Sequence, residues 1–140
     1  MPLSSDVAET LAQLALFADL PPARVEAISH MFGEQAYGEG QRGLRQNLSG
    51  SGVFVILEGE AAIRLDGREV ARLGRGEFFG EISALTGETP NADVIATRFL
   101  RCLVIPAPEV ERFLLDHPTV LLRMLKTEVR RLRLAELSNE

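Results

Sequence analysis

Between residues 7 and 32 the apolar side chains Leu11, Leu14, Ala15, Val25, Ile28, Met31 and Phe32 recur at steps of three and four, interrupted by Pro21 and Pro22. That spacing predicts two short helices. Proline lacks a backbone N–H and suits a first helical turn, so Pro21 and Pro22 open the second helix, with Asp19 upstream as the expected cap. After Phe32 the period changes. All twelve glycines lie from Gly33 to Gly87, and short segments of β character stand at 53–57, 60–65, 68–73, 93–97 and 101–105. Short runs bounded by turn residues predict strands. Two-residue hairpin turns are expected at Glu58-Gly59 and Asp66-Gly67, where positive φ angles close the chain on itself. Residues 38–52, ending in Ser49-Gly50-Ser51-Gly52, read as a mobile hairpin tip or loop. Many short strands with glycine turns point to a sandwich or barrel.

Beyond Pro106 the pattern is helical again, at 108–117 and then from Pro118 to about Leu137, where Pro118 fits a helix start. In the last helix Leu122, Leu125, Val129 and Leu132 follow a three-four-three step that Ala135 continues, the narrow seam of a helix that meets a partner helix. Arg123, Lys126, Arg130 and Arg133 occupy its other side. Either the seam pairs with a second copy, or it packs on its own barrel and the basic stripe is solvated. The chain divides into N-terminal helices (1–33), a β-roll (34–106) and C-terminal helices (107–140), all within one domain spanning 1–140.

Composition narrows the function. With 140 residues, 46% of them hydrophobic, the chain is long enough for one good core and too short for two full domains. The net charge of −5 argues against a nucleic-acid surface built on bulk charge, since such binding rests on neutralising phosphates with Lys and Arg. No apolar run reaches bilayer length. The single Cys102 forms no internal disulfide, and the start of the chain lacks a basic and apolar leader, so a cytoplasmic location is expected, with no nucleic acid and no membrane bound by this chain alone. No Cys, His and carboxylate set has metal-ligand spacing, no nucleophile sits beside a base, and neither a metal, a cofactor nor an enzymatic activity is expected. His30 and His117 read as structural, and Cys102 as a small buried apolar residue.

The stretch that carries chemistry is 74–94, Gly-Arg-Gly-Glu-Phe-Phe-Gly-Glu-Ile-Ser-Ala-Leu-Thr-Gly-Glu-Thr-Pro-Asn-Ala-Asp-Val. It reads as a glycine-punctuated loop, one helical turn from Glu81 to Leu85, a second loop and a strand. A helical turn that opens after glycine presents free backbone N–H groups, which favour an anion. Gly80 lets a ligand approach the backbone closely, and Glu81 beside it can accept hydrogen bonds from sugar hydroxyls.

Taken together, 16–21 (Leu-Phe-Ala-Asp-Leu-Pro), 53–60 (Val-Phe-Val-Ile-Leu-Glu-Gly-Glu) and 79–85 (Phe-Gly-Glu-Ile-Ser-Ala-Leu) resemble, in this order, the cyclic-nucleotide-binding domain family, the sensor module of catabolite-activator-like regulators, cyclic-nucleotide-dependent kinases and gated channels. The resemblance implies a mainly β fold, a double-stranded β-helix or jelly-roll with N-terminal helices and a long C-terminal helix. It further implies cyclic AMP or cyclic GMP as ligand, most simply cyclic AMP. Phe79, Gly80, Glu81, Ile82, Ser83, Asn91 and Ala92 would form the ligand cassette. The cyclic phosphate would rest on the N–H groups of Ile82 and Ser83 and the ribose hydroxyl on Glu81, with Ala135 and Glu136 of the last helix near the base. That helix would serve as a lid and as a homodimer seam through Leu122, Leu125, Val129 and Leu132.

The sequence departs from the family at one point. Members usually close the cassette with an Arg before Ser or Thr and Ala, and that Arg pairs with the cyclic phosphate; here Pro90-Asn91-Ala92-Asp93 stands instead. Either Asn91 replaces the Arg or the loop is a residue shorter, and both remove a cation whose phosphate pair is worth roughly 1.5–3 kcal/mol. Arg42 and Arg45, in the long loop, are the candidate substitute phosphate contacts. Three readings follow: a regulatory module that senses a cyclic nucleotide, an interaction module that kept the fold and lost the ligand, and a sensor of a different small molecule.

Overall fold

The computed structural model describes residues 3–44, 52–90 and 92–138. Its N-terminal part is helix α1 (Leu3–Gln13), a 3-10 turn (Ala15–Phe17) and helix α2 (Pro22–Met31). Pro21, not Asp19, precedes the first turn of α2, and no side chain caps it. Asp19 instead takes a left-handed backbone (φ 69°) and turns its carboxylate to Arg123, 3.4 Å away.

Eight strands follow among the described residues: β1 (Gly33–Tyr37), β2 (Arg42–Leu44), β3 (Gly52–Glu58), β4 (Glu60–Leu65), β5 (Arg68–Gly74), β6 (Phe78–Phe79), β7 (Asp93–Ala96) and β8 (Leu100–Pro106). They form two antiparallel four-stranded sheets, ordered β1-β8-β3-β6 and β2-β7-β4-β5. Between β6 and β7 lies helix α3 (Glu81–Thr86), and the chain finishes with α4 (Ala107–Asp116) and α5 (Pro118–Ser138). This is the jelly-roll with flanking helices that the resemblance implies.

The central strands of the first sheet, β3 and β8, are buried on both faces. Successive side chains of a strand point to opposite faces, so along β3 Val53, Val55 and Leu57 join a core with α1, α2, α4 and α5, while Phe54 and Ile56 join a second core between the sheets. β8 divides in the same way, with Leu103 and Ile105 on the helical side and Leu100, Cys102 and Val104 inside the roll. Two-sided burial explains why these strands read as unbroken apolar runs rather than alternating ones. β5 faces water along most of its length, and of its side chains Leu73 is the one buried.

The two expected hairpin turns have different outcomes. Asp66 and Gly67 both take positive φ (52° and 82°) and close the β4–β5 hairpin in register Leu65 to Arg68. Glu58-Gly59 is not a hairpin: β3 pairs with β8 and β6, β4 with β5 and β7, so the chain changes sheets there. Gly59 (φ 100°) is needed at this corner because a Cβ would run into the Phe99 carbonyl. Within the expected loop 38–52, β2 pairs with β7; Arg45 and Ser49-Gly50-Ser51 lie outside the described residues.

Two arginines tie distant segments together. Arg123 of α5 donates to the carbonyls of Leu16 (3.2 Å) and Ala18 (2.6 Å), so it is not part of a solvated stripe. Arg101 of β8, its side chain 19% exposed, donates to Asp6 of α1 (2.8 Å), to Glu58 (3.1 Å) and to Glu34 of β1. Its three carboxylate partners keep the guanidinium ionised at any accessible pH. Arg101→Met leaves three carboxylates facing one another without a cation, and urea unfolding is expected to show a loss of about 2 kcal/mol at low salt that shrinks as salt screens the carboxylates.

Candidate functional site

The cassette is placed by its backbone. Gly80 sits just before α3 with φ 87°, a left-handed conformation, and a Cβ there would run into the Gly52 carbonyl of β3. This turn directs the next side chain, Glu81, inward, where it is only 5% exposed. Ser83, also buried, donates its hydroxyl to the Glu88 carbonyl (2.6 Å) and pins the loop that follows α3. Gly87 (φ 78°) ends the helix, its N–H bonded to the Ser83 carbonyl. The first-turn N–H groups of Ile82 and Ser83 have no carbonyl to reach within α3 itself.

A cleft of about 640 Å³ opens in front of this turn, within the range of small-molecule sites. Of the residues expected at the ligand, Phe79, Gly80, Glu81, Ile82, Ser83, Ala92 and Ala135 line it. Glu136 lies in a separate shallow groove on α5 with Val129, Leu132, Arg133 and Leu137. Arg42 is outside the cleft, its Nε 3.7 Å from the Asp93 carboxylate. Asn91 and Arg45 lie outside the described residues. Asp93 opens β7 and is not in the cleft wall.

Sequence reasoning missed the polar half of the opposite wall. Arg131 of α5 donates to Glu81 (Nη1 to Oε2, 3.2 Å), to Glu128 (3.0 Å) and to the Phe78 carbonyl (2.6 Å), and its guanidinium lies 4.5 Å from the centre of the Phe78 ring. Helical spacing holds the signal that could have found it, since Glu128, Arg131 and Ala135 fall at steps of three and four on one face of α5. Ile63, Pro90, Val94 and Leu132 supply apolar wall.

Burial pushes the Glu81 carboxyl up to about 7, helped by the charge of Glu128 and a hydrogen bond between the two carboxyls, and opposed by Arg131. Near neutrality Glu81 is therefore poised between its protonated and ionised forms. His117, by contrast, is buried in the helical core with its Nδ1 2.8 Å from the Phe113 carbonyl and its ring stacked on Phe113. His30 is exposed on α2, and Cys102 is fully buried, its thiol pushed up to about 12 by desolvation.

Residues 34–117 match the model of the cyclic nucleotide-binding domain, and the chain belongs to that family. It is 27% identical over 118 residues to a cGMP-dependent protein kinase of Toxoplasma gondii, covering 84% of this chain and 12% of the kinase. Among solved structures it is similar to the catabolite activator protein of Thermus thermophilus (TM-score 0.77, 26% identity, 88% of this chain and 60% of the other). The cAMP-bound PfPKA-R shares the fold, with TM-score 0.81, 18% identity, and coverage of 96% of this chain and 47% of the other. The chain thus spans a small fraction of the kinase, and what it matches is a regulatory binding domain. Among the described residues no three His, Cys, Asp or Glu side chains group as a metal site, and no helix is long and apolar enough to cross a membrane.

Glu81 makes stability depend on pH with a definite sign. Its folded pKa is raised above the unfolded value near 4.5, so the native state binds more protons between about 4.5 and 7, and stability falls as pH rises through that window. The fall due to this carboxyl is about 2–3 kcal/mol. Urea unfolding of Glu81→Gln is expected to lose most of this slope; an unchanged slope would place the titration elsewhere.

Proposed function

We propose that the chain is a ligand-sensing regulatory module that binds a cyclic nucleotide, most simply cyclic AMP, in the cleft between α3 and α5, and signals through α5. The observation that carries this reading is the inward, buried Glu81 directly behind the left-handed Gly80. It sets a carboxylate for a ribose hydroxyl beside the first-turn N–H groups of α3, in a family member that keeps Phe79-Gly80-Glu81. Arg131 links that same carboxylate to α5. A ligand whose hydroxyl donates a hydrogen bond to Glu81 alters the contact that Arg131 of α5 makes with it. Occupancy then shifts the population of α5 positions by the ligand's differential affinity for them.

The outer side of α5 is the output surface. Leu122, Leu125, Val129 and Leu132 are 50%, 57%, 57% and 62% exposed, so the seam does not pack on its own barrel. An apolar stripe at this spacing, unburied along a 21-residue helix, fits a second copy of the same helix.

Calorimetric titration of ligand-free protein with cyclic AMP and cyclic GMP tests the first part. Micromolar binding that Glu81→Ala weakens by about tenfold or more is expected, the loss of a hydrogen bond to a charged group; no heat and no thermal shift at millimolar ligand would overturn it in favour of an interaction module without ligand. Sedimentation equilibrium tests the second. A dimer mass for the native chain and a monomer mass for Leu125→Glu and Val129→Glu are expected, and a monomeric native chain would remove the seam.

A further inference from the structure

We propose that the cleft is built for an uncharged ribonucleoside, so that a cyclic phosphate on the same ribose adds nothing to affinity; this rests on the reading of the cleft as a nucleotide-sensing site. The first argument is charge. Among the described residues, Glu81, Glu88 and Glu128 face the cleft against one guanidinium, that of Arg131. With Glu81 protonated or ionised, the lining is net negative among the described residues, and a phosphodiester brings a further negative charge into a partly desolvated space.

The second argument is that Arg131 is already committed. Its two terminal nitrogens serve Glu81, Glu128 and the Phe78 carbonyl, and its plane rests on the Phe78 ring. A phosphate must draw it away from two carboxylates and a carbonyl, and leaving Glu81 buried without that partner is itself unfavourable. Arg42 is turned to Asp93 at 3.7 Å, outside the cleft.

The third argument concerns the backbone. α3 is six residues long, so the dipole it offers an anion is small. What remains suits a neutral sugar and base. Glu81 can accept from a ribose hydroxyl or, protonated, donate to one, and Ile63, Pro90, Val94 and Leu132 offer apolar contact to a flat ring.

The test is equilibrium dialysis of the refolded, ligand-free chain with radiolabelled adenosine and cyclic AMP, and with guanosine and cyclic GMP, at low and high salt, alongside Glu128→Gln. The expected result is that a nucleoside binds as tightly as its cyclic phosphate or up to about tenfold tighter, the scale of one unfavourable charge contact. Raising salt should narrow that gap, and Glu128→Gln should shift the ratio several-fold toward the cyclic phosphate. A cyclic nucleotide that binds more than about threefold tighter than its nucleoside overturns this inference and leaves the sensor reading standing. Absence of binding by all four probes overturns the sensor reading and this inference with it.

Discussion

A carboxylate held out of water needs a proton, a cation or a set of donors, and Glu81 is where this chain meets that requirement. Its position is imposed from behind. β3 runs past the cassette so closely that only glycine fits opposite the Gly52 carbonyl, and the left-handed turn at Gly80 aims the next side chain inward. The partners then come from a segment fifty residues away, Arg131 and Glu128 of α5. The cassette and the last helix are therefore joined by the same buried charge, and neither is electrostatically complete without the other.

The rest of α5 is fixed differently. Val120 and Met124 are buried in the helical core, and Arg123 reaches the carbonyls of Leu16 and Ala18, so the first two turns belong to the body of the domain. Past Lys126 the helix loses that apolar anchorage. Val129, Leu132, Leu134 and Leu137 are all more than half exposed. A helix packed firmly at its start and held further on through Arg131 has a natural point of division, and in its outer half Leu132 belongs to both the cleft wall and the exposed apolar seam.

Much of this architecture was legible in the amino-acid order. The apolar runs at 53–57 and 101–105 marked strands because both faces of their sheet are covered, and Phe79-Gly80-Glu81 marked the cassette because its glycine and its carboxylate have one geometry to satisfy. Other features were hidden for physical reasons. β6 is two residues long, too short for any period to show, and β1 and β2 are polar edge segments that owe their form to β8 and β7. Glu58-Gly59 has the composition of a hairpin turn, yet which strand follows which into a sheet is decided by burial of β3 on both faces, a property of the whole roll. Asp19 resembles a helix cap until Arg123 is brought beside it. Arg131 is one of fourteen arginines, and only the packing of α5 across the cleft separates it from its solvated neighbours.

The absent cassette arginine and the present Arg131 are linked by this arrangement. In a pocket whose arginine lies in the cassette, the cation for a phosphate and the carboxylate for a ribose are held on one rigid element, and the last helix is free to come and go. Here the cleft's guanidinium, among the described residues, rides on the last helix and is bound to the buried Glu81 carboxylate itself. Any ligand that reaches Glu81 competes directly with the contact that positions α5. On the proposed reading, coupling between occupancy and helix position needs no relay through the barrel, because ligand and helix meet at the same carboxylate.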